Sequence, residues 1–338
     1  PAVEGSAWYA SSPWTWDWNA EIAQNSANVD SSFSDTENRS TGILRNSINR
    51  QNTYGLISKL NYDVSDELEV QVGLDWRTAG IEHAREVRDL LGGDYFVNSS
   101  NKNNTTNESK MKGLGDIIAY HNSTTVDWIG GFLQGKYTKD KINLYGMGGL
   151  SSIKYSYQDH FTVANEVVKA DAISTFQVKG GIMYDVDDNV SVFANTGYVE
   201  KPPIMDNVIY YDGTVASDPI NESFISSEAG VNFESEKFAV KVSAYNTDWK
   251  DRNLTKAVTT GQGDSGDTDV IFLKGIGQKH QGLEIEGSMK LNDMIRLDGA
   301  VSFGKWKFDG DADGLYTEYA EDAPKQTSYT YTLDGLYV

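Results

Sequence analysis

Three observations on this 338-residue sequence predict an all-β fold, an antiparallel transmembrane β-barrel. Apolar and polar residues alternate along segments of about ten residues, the length of a barrel strand. Tight turns and long polar connections alternate between those segments, which sends every long loop to one end. Aromatic residues gather near the segment ends, as in the girdles that mark the two membrane interfaces.

The strands read in order as 53–64, 67–77, 125–138, 141–157, 172–186, 189–199, 224–235, 237–249, 280–291, 294–308 and 327–338, about eleven in all. In the second, Leu68, Val70, Val72, Leu74 and Trp76 share one face, and Glu69, Gln71, Gly73 and Asp75 the other. Phe176, Val178, Ile182 and Tyr184 repeat the pattern, followed by Val190, Val192, Ala194 and Tyr198. Ile225, Ala229, Val231 and Phe233 oppose Glu228, Asn232 and Glu234, while Val240 and Val242 oppose Lys241 and Ser243. Leu283, Ile285, Leu297 and Val301 complete the apolar face in the later strands. No charge falls on these faces, and one Lys or Arg in lipid at mid-depth costs roughly 2–4 kcal/mol. The apolar face is therefore expected to be solvent-accessible, because its surroundings are lipid. The opposite faces carry Glu69, Asp75, Glu228, Glu284, Glu286 and Asp298 against Lys241, Lys290 and Arg296, a polar and mostly acidic lumen.

Turns are expected at 64–67, 138–141, 186–189, 234–237 and 291–293, and long loops at 77–125, 155–171, 200–223, 250–279 and 309–326. Residues 1–50 read as an extracellular loop or a frayed strand.

Composition narrows the function. Lys and Arg total 29 against 49 Asp and Glu, a formal charge of −20, which leaves no positive surplus for nucleic acid. With no Cys there is no disulfide framework and no thiolate metal site. No run of about 18 apolar residues offers a membrane-spanning helix. The mean hydropathy of −0.48 says nothing against a barrel, whose alternation averages out in any sum.

Several motifs then point to a family. Asn195-Thr196-Gly197-Tyr198, running into Lys201-Pro202-Pro203-Ile204, resembles a strand and Pro-containing loop of TonB-dependent outer-membrane receptors. Asn221-Glu222-Ser223 with Glu228-Ala229-Gly230, Tyr245 through Trp249-Lys250-Asp251-Arg252, and His280-Gln281-Gly282-Leu283-Glu284 resemble the strands that follow. Asp89-Leu90-Leu91-Gly92-Gly93-Asp94-Tyr95 and Ala119-Tyr120-His121-Asn122 are similar to the receptors of Bacteroidota. The resemblance covers about residues 40–338 and implies a barrel of about 22 strands around an N-terminal plug. It implies that this chain is a partial barrel over 1–338 without the plug and the C-terminal strands. It also implies a Gram-negative outer-membrane location, contact with TonB through that plug, and a surface lipoprotein as a lid.

The function so implied is TonB-dependent uptake of a scarce nutrient: an iron chelate, a vitamin or an oligosaccharide. A non-transporting structural or adhesin barrel is the alternative; no nucleophile elbow or paired carboxylates mark an enzyme. Ligand contacts are expected from Trp14, Trp16 and Trp18 and from Tyr210 and Tyr211, whose rings offer stacking area beside polar neighbours. The 202–211 segment is expected to be an exposed loop that can be deleted without unfolding the barrel. Asp309, Asp311 and Asp313, with Gly310 and Gly314, match the opening of a calcium loop, but Ala320 stands where its closing Glu belongs. Calcium is the cofactor this suggests; a solvated acidic tip is the alternative. His83, His121, His160 and His280 read as isolated side chains.

Overall fold

The structure, a computed structural model, describes residues 16–210, 212–260, 267–319 and 324–338. It divides into two compact units. The first holds residues up to Thr53, with Ala79–Val126 and Ser156–Lys169; the second holds Tyr54–Thr78, Asp127–Tyr155 and Ala170–Val338.

One large antiparallel sheet of 13 strands carries the chain. Its members are β2 (Leu44–Asp63), β3 (Leu68–Asp89), β6 (Ile117–Lys139), β7 (Ile142–Asp159), β8 (Val167–Lys169), β9 (Ile173–Asp185) and β10 (Val190–Lys201). They continue as β11 (Glu222–Glu234), β12 (Phe238–Thr260), β13 (Asp267–Lys290), β14 (Arg296–Phe308), β15 (Ala312–Tyr319) and β16 (Pro324–Tyr331). From β2 to β13 the long strands pair in sequence order. All eleven expected strands are present, and β8 and β15 are additional.

The turns form where short polar side chains can hold them. Asp187 Oδ1 accepts from the N–H groups of Asn189 and Val190, and Asn292 Oδ1 from those of Met294 and Ile295. Ser65 and Ser235 bond to the backbone of the following strand in the same way. Asp140, at φ 49°, opens the two-residue turn between β6 and β7, where a left-handed residue matches the twist of the strands.

The expected apolar face is open. Val72, Val231, Phe233, Val240, Leu283, Ile285, Leu297 and Val301 are all exposed, with Leu68 and Val70 half-exposed. Among the described residues no second sheet covers them. Tyr62, Tyr184, Phe238 and Trp306 are exposed near the strand ends, and Trp76 is exposed within β3. Among the described residues no helix is long and apolar enough to cross a membrane.

The strands are longer than the alternation suggests. β3 runs to Asp89 and β6 starts at Ile117, inside the expected loop 77–125. β12 and β13 extend through most of 250–279, and β15 lies inside 309–326. Beyond the apolar zone no lipid requires one face to be apolar throughout, and pairing persists without the pattern that reports it. The last expected strand, 327–338, divides: β16 ends at Tyr331, and Tyr337 bridges back to Lys307.

At β13 the sheet forks. Gln278–Lys290 pairs with β14, whereas Val270–Lys274 pairs with β15. Gly277 sits at the fork, where a Cβ would collide with the carbonyl oxygen of Asp309.

Within 1–50, expected as an extracellular loop or a frayed strand, the described residues carry regular elements. They include α1 (Trp18–Ala27), capped by Asp17 accepting from the Ala20 N–H, and the beginning of β2. A small sheet forms from β1 (Arg39–Ser40), β4 (Tyr95–Val97) and β5 (Met111–Lys112), the last preceded by the short α2 (Asn107–Lys110). Val87, Leu90 and Ile118 make a core against Ile43 and Phe96. Asn25, fully buried on α1, ties these parts together: its amide donates to the carbonyls of Gly42, Leu90 and Leu91 and accepts from the Thr41 N–H.

The exposed face makes a directional prediction. In lipid bilayers Val242→Arg should destabilise the folded protein by roughly 2–4 kcal/mol. Gln134→Lys, on the polar face of β6, should cost far less. The urea midpoints of the two variants against the parent check this.

Candidate functional site

The residues with chemistry gather where the strands leave the apolar zone, and each unit has its own group.

In the second unit, the segment from Pro202 to Asn221 folds back on itself. Pro203, Val208 and Ile209 are buried, the last two at 0% and 2% exposure. A 3-10 turn at Met205–Asn207 and the Ile209–Val215 bridge shape it, with Gly213 at φ 82° in the tip. Tyr155 pins it: the phenol donates to the Pro203 carbonyl at 3.0 Å. Tyr155 lies beyond the exposed apolar part of β7, and burial pushes its hydroxyl up to about 12, so it stays a neutral donor at physiological pH. The segment is therefore not the exposed loop expected, since Pro203, Val208 and Ile209 are buried. The sequence shows the polar tip, but Val208 and Ile209 are core residues.

Beside the loop, Glu222 is 3% exposed and accepts from Lys201 Nζ at 3.2 Å and from the Asn253 N–H at 3.4 Å. The Arg252 guanidinium sits 4.7 Å from the centre of the Trp249 ring and donates to Gln278 Oε1, which His280 Nε2 also meets. Asn221 donates to the Ser174 carbonyl. Residues from four of the sequence motifs, Lys201, Glu222, Arg252 and His280 among them, thus meet at one end of neighbouring strands. A buried carboxylate survives only with such partners, because desolvation penalises an unpaired charge.

In the first unit, two histidines that read as isolated in the sequence stand next to each other, their rings tilted by 42°. The rings of His121 and His160 are 4.4 Å apart, and the His160 N–H donates to the His121 carbonyl. His121 Nε2 lies 3.0 Å from Glu82 Oε1, whose other oxygen accepts from Arg50 Nη1 at 3.2 Å. His160 Nε2 lies 2.8 Å from Ser123 Oγ. The His121 hydrogen bond, and then Arg50, hold the Glu82 carboxyl below the usual carboxylate range against a smaller desolvation effect. A signal for this pair does exist in the sequence. A two-residue turn at 140–141 pairs 139 with 142, and equal steps up both strands bring 121 opposite 160.

The expected ligand residues are distributed between the units. Trp16 is exposed and its ring centre is 5.0 Å from that of Trp18, both in the first unit. Tyr210 is half-buried in the second, with its hydroxyl 3.4 Å from Lys274 Nζ. Trp14 and Tyr211 lie outside the described residues. The three aspartates do not converge: Asp313 is within β15, Asp309 follows β14, and Asp311 Oδ1 accepts from the N–H groups of Leu333 and Asp334. Among the described residues no three His, Asp or Glu side chains form a group able to hold a metal ion.

A family model described as TonB dependent receptor-like, beta-barrel, matches residues 4–337. The chain belongs to that family. Its members are transporters, not enzymes. Among solved structures, the receptor barrel is similar to the copper transporter OprC, with 14% identity, TM-score 0.54, and coverage of 85% of this chain and 44% of that one. It is also similar to the ferric-catecholate import receptor Fiu from K12 E. coli, with 11% identity, TM-score 0.49, and coverage of 83% and 44%. The first of these supports the fold. The chain spans less than half the length of these structures. No curated protein matches the sequence.

Two predictions follow from the receptor's loop ends. Tyr155→Phe leaves the Pro203 carbonyl unpaired and should loosen the 203–216 segment by about 1–3 kcal/mol, read as faster amide exchange there with the sheet unchanged. Glu82 has a depressed folded-state value, so its contribution is present above the ordinary carboxylate range, about pH 4, and is lost as pH falls through the depressed value. Amides around His121 and His160 should then lose protection on acidification before those of β9 to β12, and Glu82→Gln should abolish that early step.

Proposed function

We propose that the protein serves TonB-dependent uptake of a nutrient ligand across a Gram-negative outer membrane. The observation that carries this reading is the family match over 4–337 combined with a sheet whose apolar face is open along the strands. A wall of this kind is stable only in lipid, and its packed polar ends meet water on the loop side. The ligand is a scarce nutrient; OprC, similar in fold, is named a copper transporter. TonB acts through a plug domain of the whole receptor. The exposed Trp16 and its neighbour Trp18 present ring faces beside Asp17 and Asn19, the combination that holds a sugar or a ring system by stacking and hydrogen bonds. Trp14, Tyr210 and Tyr211 are assigned to the same task on the sequence pattern.

Growth of a receptor-deleted strain complemented with the full-length gene, on one limiting nutrient at a time, tests the reading. Growth that depends on both the receptor and TonB supports it; growth independent of either overturns uptake in favour of a structural barrel. On the nutrient that scores, Trp16→Ala with Trp18→Ala should raise the half-saturating concentration roughly 3- to 10-fold, the loss of one or two stacking contacts. Retained heat-modifiability should show that the barrel is intact.

A further inference from the structure

Trp16 and Trp18 stand at the start of α1, so their place depends on what holds that helix. Apolar packing does not hold it. Asn25 is the one buried residue on α1, while Ile22 and the three alanines are exposed. Ten residues are too few for a helix to persist alone in water, so α1 is helical because it is docked.

Docking is polar and converges on one amide. Asn25 Nδ2 donates to the carbonyls of Gly42, Leu90 and Leu91 at 2.9, 3.2 and 3.1 Å, and Oδ1 accepts from the Thr41 N–H at 3.0 Å. The turn after β3 is shaped for this contact. Leu91 and Gly92 take φ of 48° and 91°, and successive carbonyls at 90 and 91 reach the same side chain. A leucine in the left-handed region is strained, and such strain persists where the surrounding contacts hold it. Beside Asn25, Ser26 Oγ donates to the Gly92 carbonyl at 3.0 Å, and a Cβ on Gly92 would collide with that hydroxyl. An amide with both ends engaged fixes one pose of the helix, because any other pose leaves buried carbonyls unpaired. The tryptophans share that pose: the Trp18 N–H donates to the Trp16 carbonyl at 3.1 Å, and their ring centres are 5.0 Å apart.

We propose that Asn25 is a positioning residue for ligand capture: its buried amide docks α1 and so holds the Trp16–Trp18 pair ready, without touching the ligand. The proposal rests on the uptake reading, with these tryptophans as ligand contacts, and adds the residue that sets their geometry. A ligand that binds the docked pose strengthens docking by the factor by which docking strengthens binding. When docking fails, the apparent affinity falls with the docked fraction.

The test uses the full-length receptor and two readouts. In detergent micelles, Asn25→Ala should speed hydrogen exchange of the α1 amides at least about 30-fold, the loss of several hydrogen bonds, with β9 to β12 unchanged. In the growth assay, on the nutrient that scores there, Asn25→Ala should raise the half-saturating concentration roughly 3- to 10-fold, as Trp16→Ala with Trp18→Ala does, and leave the maximal rate and heat-modifiability intact. The decisive comparison is the triple variant. Asn25→Ala should add nothing once both tryptophans are gone, because it acts through them. Ser26→Ala, which loses only the Gly92 tie, should shift both readouts less and in the same direction, and it carries the test if Asn25→Ala does not reach the membrane. Unchanged α1 exchange overturns the proposal. So does an equal effect of Asn25→Ala with and without the tryptophans, which would leave the tryptophans as contacts and make Asn25 merely structural. No effect of the tryptophan substitutions would instead remove the ligand reading, and the proposal with it.

Discussion

A bilayer offers no hydrogen-bond partner to a peptide group, and the rest of this structure depends on that constraint. Every N–H and C=O within the apolar zone must find its partner on a neighbouring strand, which selects an antiparallel ladder of long strands. The ladder then dictates the sequence pattern. Each residue that faces lipid is followed by one that faces away, so Val240 and Val242 are apolar while Lys241 between them can pair with Glu228 at 2.9 Å. Turn chemistry is subordinate to the same rule: Asp140, Asp187, Ser235 and Asn292 stand where one strand must hand over to the next without leaving a peptide group unpaired.

Pairing also carries information over distance. Because the register is set at the turn, a two-residue hairpin at one end decides which side chains oppose each other many residues away. His121 and His160 meet for this reason. The family motifs behave alike. Glu222, Arg252 and His280 come from different strands, yet they stand around Lys201, Asn253 and Gln278 at one level of the sheet. A motif weak in isolation gains meaning from the ladder that aligns it with the others.

The wall was legible in the sequence because lipid leaves a period-two signature, and the positions of the turns were legible because few side chains can hold them. What escaped was whatever lies above the lipid. The upper parts of β3, β6, β12 and β13 go on pairing, with register shifts near Arg252, but their surroundings are no longer lipid on one face and the alternation lapses. The α1 helix is marked by little beyond Asp17, and the burial of Asn25 reflects carbonyls on Gly42, Leu90 and Leu91 that no local pattern announces. Val208 and Ile209 read as two apolar residues in a polar connection; only the packing makes them core. For the candidate site, residue types were visible and partners were not. The aspartates 309, 311 and 313 have calcium-loop spacing, but Asp311 is engaged by backbone N–H groups and Asp313 belongs to a strand.

The Tyr155–Pro203 contact has a consequence for recognition. A free connection between β10 and β11 would sample many shapes, and a ligand captured by it would have to arrest that motion on arrival. Tethering near its start, together with the Ile209–Val215 bridge, breaks one long closure into shorter ones whose entropic cost is met when the protein folds. Affinity is then less dependent on ordering the loop, and selectivity shifts toward ligands whose shape fits a surface already in place.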